Sequence, residues 1–365
     1  MIFCSECFND SEISSIIRTL EKHGKCPICG KADSFLYNTE KDNQLLNIFN
    51  DLISIYTPAS LLPNDFPRSD LRMLKDELQT NWYIFNGKLK SNQVYNILVS
   101  LSVDMYSDNS SLFDSPVGVS EKYDLDYLNL NSILRDNQWD DFVNALKYDN
   151  RFHTDYINLD ILRKFCNRIR KPYRKDTVFF RSRISLETGF AKQDMGTPQG
   201  KFITDGRANS AGISRLYLAN DVDTAIREVR AGAFDYVSIG SFRLLKDIII
   251  VDLKMINKIS PFDGQGDCLQ YYVNKEHLNK INSEMGKTLR RSDSPLDYLP
   301  TQYLTDFINS ISINDGDKTK YSGIEYKSTM NLNGYNLAVF DPKLFECTSV
   351  MTYKIDELSY KTSEM

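Results

Sequence analysis

The 365-residue chain carries 44 basic against 49 acidic side chains, a formal charge of −5, with 41% hydrophobic and 25% charged residues. Its length exceeds that of a typical single domain, and the composition excludes a largely disordered chain. The acidic balance excludes an extended basic footprint for duplex nucleic acid. The longest apolar run, "DIIIVDL", is far short of the roughly 20 residues of a membrane helix, so a soluble, cytoplasmic chain without membrane contact is expected.

In chain order, Cys4, Cys7, Cys26 and Cys29 come first, as C-x2-C, 18 residues, C-x2-C. Four thiolates at this spacing close a tetrahedral site with no open position, so a structural zinc is expected in a knuckle module over residues 1–40. A total of seven Cys, an odd number, suits metal ligation in a reducing compartment better than disulfides.

Residues 41–170 read as a mostly helical domain. "NQLLNIFNDLISIY" places Leu45, Ile48, Leu52 and Ile55 at helical spacing, and "SDLRMLKDELQTNW" predicts a helix opening at Ser69-Asp70. "SNQVYNILVSL" and "NLDILRKFCNRIRKPY" predict two more, with "YSDNSSLFDSPVGVSEKYD" as a long loop.

Residues 171–350 mix strands and helices in an α+β arrangement without regular alternation. Strands are predicted at "TVFFRSRI", "SRLYLAN", "FDYVSIGSFRL", "DIIIVDL", "YSGIEYKS" and "NLAVFD". Helices are predicted at "DVDTAIREVRAG", capped by Asp221, at "QYYVNKEHLNKINSEM" and at "PTQYLTDFINSI". "FDGQGD" lacks the strand-to-helix context of a dinucleotide fingerprint and is a loop. Residues 351–365 form a tail.

With three His and no G-x-S-x-G element, a Ser-His-Asp hydrolase has little support. Arg18 and His23 in "RTLEKH" have the R-x4-H spacing of HEPN-type ribonucleases, yet read better as the outer face of a helix between the Cys pairs. Arg151 and His153 in "NRFHTDY" add nothing to the ribonuclease reading.

The densest chemistry lies in "GRANSAGISRLYLAND". Arg207 sits in a Gly-flanked bend, Tyr217 on the strand that follows, and Glu228 two turns into the next helix. A guanidinium fork suits a pyrophosphate, and a Tyr ring offers a stacking surface for a flat heterocycle.

These blocks in this order resemble the RES family, named for its Arg, Glu and Ser. "FFRSRI" resembles its opening strand with Arg181, "DGRANSAGISRLYLAND" its Gly-Arg, Asn and Leu-Tyr-Leu segment, and "TAIREV" the helix bearing the Glu. "YLPTQYLTDFI" and "YSGIEYKSTMNLNGYNLAVFDP" complete it, with Ser328 in the Tyr-x-Ser-Ser position, where Lys327 and Thr329 depart from the commoner residues. Residues 1–170 are similar to the HEPN-type regions that accompany some RES domains.

The resemblance implies an ADP-ribosyltransferase-like split β-sheet and an enzyme that consumes NAD as its substrate. It implies binding roles for Arg181, Arg207, Asn209, Tyr217 and Ser328, and catalytic roles for Glu228, Arg207 and Tyr217. Cleavage of the nicotinamide glycosidic bond by hydrolysis or phosphorolysis, in a toxin-antitoxin or phage-defence setting, is the expected activity. ADP-ribosyl transfer to a protein or nucleic acid, a catalytically silent zinc-containing binding module and a HEPN-type ribonuclease are the alternatives. The implied partners are NAD, an antitoxin or trigger protein, and a further copy of the chain. A restraining role is expected for the N-terminal half.

Overall fold

A computed structural model describes residues 1–198, 200–287, 294–314 and 318–358. The fold is mixed α+β, with two compact units: Met1–Ser132 with Ile259–Asn274, and Ile133–Lys258 with Lys275–Met365.

In the first unit, β1 (Ile2–Cys4), β2 (His23–Gly24) and β3 (Ser34–Asn38) form a three-stranded sheet in the order β1-β3-β2. The helix Ser11–Thr19 starts at Asp10, whose carboxylate accepts from the Glu12 and Ile13 amides at 2.9 and 3.1 Å. It buries Ile13 and Ile17 beside Phe3, whose ring stacks on Tyr37 with centroids 5.2 Å apart. The helix ends before His23, which lies on β2 beside Asp33, while Arg18 pairs with Glu6. Arg18 and His23 therefore do not share a helix face, contrary to the periodic reading.

The helices Leu46–Ile53 and Ser91–Leu101 form where their apolar spacing places them. Two expectations for this unit need correction. Ser69 and Asp70 lie in a 3-10 turn, and the helix begins only at Leu74, continuing through a π turn over Glu77–Asn81. Asp70 caps nothing; its carboxylate accepts from Lys122 Nζ and Tyr123 OH, both at 2.6 Å, which holds it down at about 2. The segment expected as a loop is built instead from short elements, including a helix at Ser111–Asp114. Within it, β6 (Pro116–Gly118) pairs with both β4 (Thr57–Pro58) and β5 (Arg72–Met73). Long-range pairing, invisible to local composition, orders it.

The second unit is built on an eight-stranded sheet. Its strands are β7 (Arg170–Tyr173), β8 (Val178–Ser185), β9 (Leu216–Ala219), β10 (Tyr236–Leu244), β11 (Ile248–Asp252), β12 (Gly323–Lys327), β13 (Tyr335–Val339) and β14 (Phe345–Lys354). They lie in the order β14-β10-β8-β9-β13-β12-β11-β7, antiparallel throughout except for β11 and β12. The helix expected over "NLDILRKFCNRIRKPY" stops at Arg168, and its last residues become edge strand β7, where Pro172 is tolerated. β14 was not expected from the sequence and takes residues 351–354 of the expected tail, of which residues 359–365 lie outside the described residues.

β8 and β9 share a single residue pair, Phe180 with Ala219, so the sheet nearly divides there. One face of both halves packs a common apolar core, with Phe179, Phe242, Leu216, Leu218, Leu337 and Val339 all nearly inaccessible. Strand alternation turns Tyr217, Tyr326 and Asn336 to the opposite face. Glu325 points to the core side, fully buried and held by Lys171 Nζ at 2.8 Å and by the Lys254 ammonium and Tyr173 hydroxyl. Burial brings Lys254 down to about 8. Glu325 is thus one residue from the cleft-facing Tyr326 and absent from the cleft.

Candidate active site

The face opposite the core carries a cleft of about 470 Å³ along the β8/β9 division. Arg181, Arg207, Tyr217 and Glu228, far apart in sequence, all line it.

Arg207 and Ala208 form the corner of a tight turn closed by Gly206 and Asn209, with the Gly206 amide donating to the Asn209 carbonyl at 2.9 Å. Gly206 is required because a Cβ there would lie 2.7 Å from Asn209 Oδ1 and 2.8 Å from the Tyr217 hydroxyl. That hydroxyl donates to Asn209 Oδ1 at 2.7 Å and accepts from the Ala208 amide at 3.1 Å, fastening the turn to β9. Burial pushes the Tyr217 phenol up to about 12, so it stays neutral. Gln302, on the helix Leu299–Ser310, adds bonds from Nε2 to the carbonyls of Gly206 and Asn209 at 3.0 and 2.9 Å. Asn209 is therefore a brace behind the turn and does not line the cleft.

Arg207 donates from Nη1 to the Met285 carbonyl at 2.9 Å and from Nη2 to the Lys287 carbonyl. These carbonyls lie at the C-terminal end of the helix Cys268–Met285, where partial negative charge collects. Arg181 spans the opening beyond the single β8/β9 pair, donating from Nη1 to the Tyr217 carbonyl at 3.2 Å. Burial, with Arg183 nearby, lowers it to about 10.

Glu228 is the last residue of the helix Val222–Glu228, which Asp221 starts by accepting from the Thr224 amide at 2.7 Å. A carboxylate at a helix C-terminus faces the unfavourable end of the dipole. Two donors offset this, Ser328 Oγ at 2.6 Å and Asn336 Nδ2 at 2.7 Å, both on Oε1. Oε2 receives no protein donor among the described residues and is left to the cleft. Ser328 accepts in turn from the Met330 and Asn331 amides, both at 3.1 Å, so its one proton is committed to Glu228. It braces the carboxylate and is not itself part of the cleft wall.

The loop carrying Ser328 closes with the Ser328 amide on the Gly334 carbonyl at 3.0 Å and packs on the helix of Glu228. A Cβ on Gly334 would lie 2.2 Å from Thr224 Oγ1, a fully buried side chain. Gly334→Ala is therefore expected to cost about 1–3 kcal/mol by overpacking, seen as a lowered thermal midpoint. An unchanged midpoint would show that the loop is not seated on this helix.

Tyr298, Tyr326 and Asn336 also line the cleft and were not singled out from the sequence. Asn336 had a signal, since it is an amide within the otherwise apolar run "NLAV", and it is only 6% exposed. Tyr326 follows from the pleat once Glu325 is known to face the core. Tyr298 lies in a 3-10 turn with no readable pattern.

The RES domain profile matches residues 179–362, half of the chain. The chain belongs to the RES domain family. No curated protein and no solved structure matches it. RES domain membership associates the chain with NAD use and toxin-like function, and the matched residues include every cleft residue named above.

In the first unit, Cys4, Cys7, Cys26 and Cys29 place their sulfurs within 4.8 Å of one another. The Cys4–Cys7, Cys7–Cys26 and Cys4–Cys29 separations are 3.8, 3.8 and 3.4 Å. Four thiolates at about 2.3 Å from a tetrahedral zinc would stand roughly 3.8 Å apart, so the group could hold such an ion. Gly30, at φ 77°, supplies the left-handed turn after Cys29, and the Cys29 amide points at Cys26 Sγ from 3.5 Å. Burial and the neighbouring sulfurs raise the Cys4 thiol to about 12, and a bound cation would supply the charge that lets the group ionise. No helix among the described residues is long and apolar enough to cross a membrane.

Proposed function

We propose that this chain is a NAD-consuming, toxin-like enzyme that cleaves the nicotinamide glycosidic bond. The observation that carries this reading is the Glu228 carboxylate, fastened through one oxygen by Ser328 and Asn336 with the other turned to an aromatic-lined cleft.

Nicotinamide in NAD is already a cationic leaving group, so its departure needs no general acid. What needs help is the oxocarbenium-like ribose left behind. Glu228 Oε2 would accept from the ribose 2-prime hydroxyl and stabilise the developing positive charge, and its fixed position avoids reorganisation during the reaction. Tyr217, Tyr298 and Tyr326 offer ring faces to the flat heterocycles. Arg181 has no carboxylate partner among the described residues, and two of the five N–H groups of Arg207 are engaged on carbonyls, which leaves both able to bind pyrophosphate oxygens. The four-Cys group would hold zinc in a closed structural site. The first unit would carry control of the activity, as the HEPN-type regions it resembles suggest.

Incubating the purified full chain with NAD is expected to release nicotinamide, and the co-product identifies the acceptor. Free ADP-ribose means water, its 1-phosphate means phosphate, and a labelled macromolecule means transfer. No release and no labelling under any of these conditions would sink the enzymatic reading.

Ser328→Ala tests the brace. Loss of a hydrogen bond to a charged group, about 1.5–3 kcal/mol, should lower kcat by roughly ten- to a hundredfold with KM little changed. A rise in KM alone would make Ser328 a substrate contact instead.

A further inference from the structure

The helix Leu299–Ser310 buries Thr301, Gln302 and Thr305 among the apolar side chains of Pro300, Leu304 and Ile308. Polar groups in such a place need partners. The two threonines find theirs inside the helix, Thr301 Oγ1 donating to the Tyr298 carbonyl at 2.9 Å and Thr305 Oγ1 to the Thr301 carbonyl at 2.7 Å. Gln302, only 4% exposed, turns its amide away from the helix. Its Nε2 donates to Asp205 Oδ1 at 3.2 Å as well as to the Gly206 and Asn209 carbonyls, and its Oε1 accepts from Ser210 Oγ at 3.2 Å. All four partners lie in residues 205–210, the segment whose corner is Arg207. Asn209 and Tyr217 fasten that corner from the strand side, and Gln302 fastens it from the helix side.

The pattern asks for an amide. A carboxylate of the same shape would set its charge against two carbonyls and Asp205, and an aliphatic side chain would leave buried acceptors unpaired. Packing within the helix would be served as well by an apolar residue of that volume. Position adds a second point. Tyr298, whose ring lines the cleft, stands immediately before this helix and one turn ahead of Gln302. A single helical turn thus carries a wall of the cleft at one end and the anchor of the Arg207 corner at the other. The placement of guanidinium and ring relative to each other is set by a rigid element instead of by the loop.

We propose that Gln302 is a positioning residue for the dinucleotide, holding the Arg207 corner in register with Tyr298 so that guanidinium and ring meet one ligand. The ligand rests on the NAD reading above; the clamp rests on the hydrogen bonds alone.

Gln302→Met in the full chain keeps the volume and removes the amide. Exchange of the Gly206 and Ala208 amides, which donate to the Asn209 carbonyl and the Tyr217 hydroxyl, should quicken by roughly tenfold, as for the loss of about one hydrogen bond. KM for NAD should rise by roughly ten- to a hundredfold with kcat within a fewfold of the parent. Nicotinamide riboside has the same scissile bond and no pyrophosphate, so its cleavage should change little. Equal losses on both substrates, or a fall in kcat with KM unmoved, would make Gln302 a structural residue only and overturn the proposal. Unchanged amide exchange would overturn it too, because the clamp would not exist. A parent protein that releases no nicotinamide from NAD sinks the NAD reading instead, and the exchange result still decides the clamp. Should Gln302→Met not fold, Ser210→Ala releases Oε1 and leaves the packing in place. Its exchange and KM should shift in the same directions by a fewfold, and no shift in either would overturn the proposal.

Discussion

Replacing Glu228 by Gln is expected to lower nicotinamide release from NAD by about 10²–10³-fold, the range typical of losing one preorganised electrostatic group. The substitution is nearly isosteric. Its carbonyl oxygen can take the place of Oε1 and still accept from Ser328 Oγ and Asn336 Nδ2, so the fold and the thermal midpoint should hold. The atom turned to the cleft changes from a charged acceptor to an amide donor, which offers nothing to a developing ribosyl cation. Removal of a charge from a helix C-terminus relieves an unfavourable dipole interaction, so the variant should be as stable as the parent or slightly more so. This combination, a stable protein with lost turnover, separates a catalytic carboxylate from a structural one. Turnover within a fewfold of the parent would show that the carboxylate does not act at the ribose, and the proposed mechanism would fail.

Removing the metal expected in the four-Cys group should destabilise the N-terminal part of the first unit. Apparent binding free energies of structural zinc reach about 10–16 kcal/mol, as large as the whole stability of a typical domain, about 5–15 kcal/mol. The module has an apolar core of its own in Phe3, Phe8, Ile13, Ile17 and Tyr37, so part of its stability survives without the ion. Even a loss of about 3 kcal/mol would lower the midpoint by roughly 6–12 °C in a unit of this size. A strong chelator, or Cys26→Ser, should produce that drop, together with loss of the near-ultraviolet signal of the stacked Phe3 and Tyr37 rings. Metal analysis should find one zinc per untreated chain. A chelator-resistant midpoint with no bound metal would show that the thiols simply pack together.

Much of the second unit was readable because its elements carry strong local signals. "VSIGSFRL" and "IIIVD" are β-branched and aromatic, Asp221 is a cap with its helix behind it, and Gly206 marks a turn where a Cβ would crowd Asn209 and Tyr217. The elements that escaped depend on partners distant in sequence. β6 exists because β4 and β5 pair with it, and β7 because β11 does. The candidate site divided in the same way. Arg207, Tyr217 and Glu228 stand in one local segment with recognisable punctuation. Tyr298, Tyr326 and Asn336 reach the cleft only through strand register and helix placement, so no short window of sequence could nominate them. Ser328 was legible as a residue, but its task was not, since only the fold reveals that its proton goes to Glu228.

The two halves of the large sheet meet through one residue pair, Phe180 with Ala219, while their common apolar core spans the seam. A backbone ladder resists sliding because each bond is directional, whereas apolar contact tolerates small shear. The seam is therefore the mechanically weakest line in this sheet, and Arg181 and Tyr217 stand on opposite sides of it. A ligand gripping both would act as a rivet, supplying the cross-strand tie that the backbone omits. Amide exchange in β8 and β9 should then slow when the cleft fills, with little change in β11 or β12, whose neighbours are already tied.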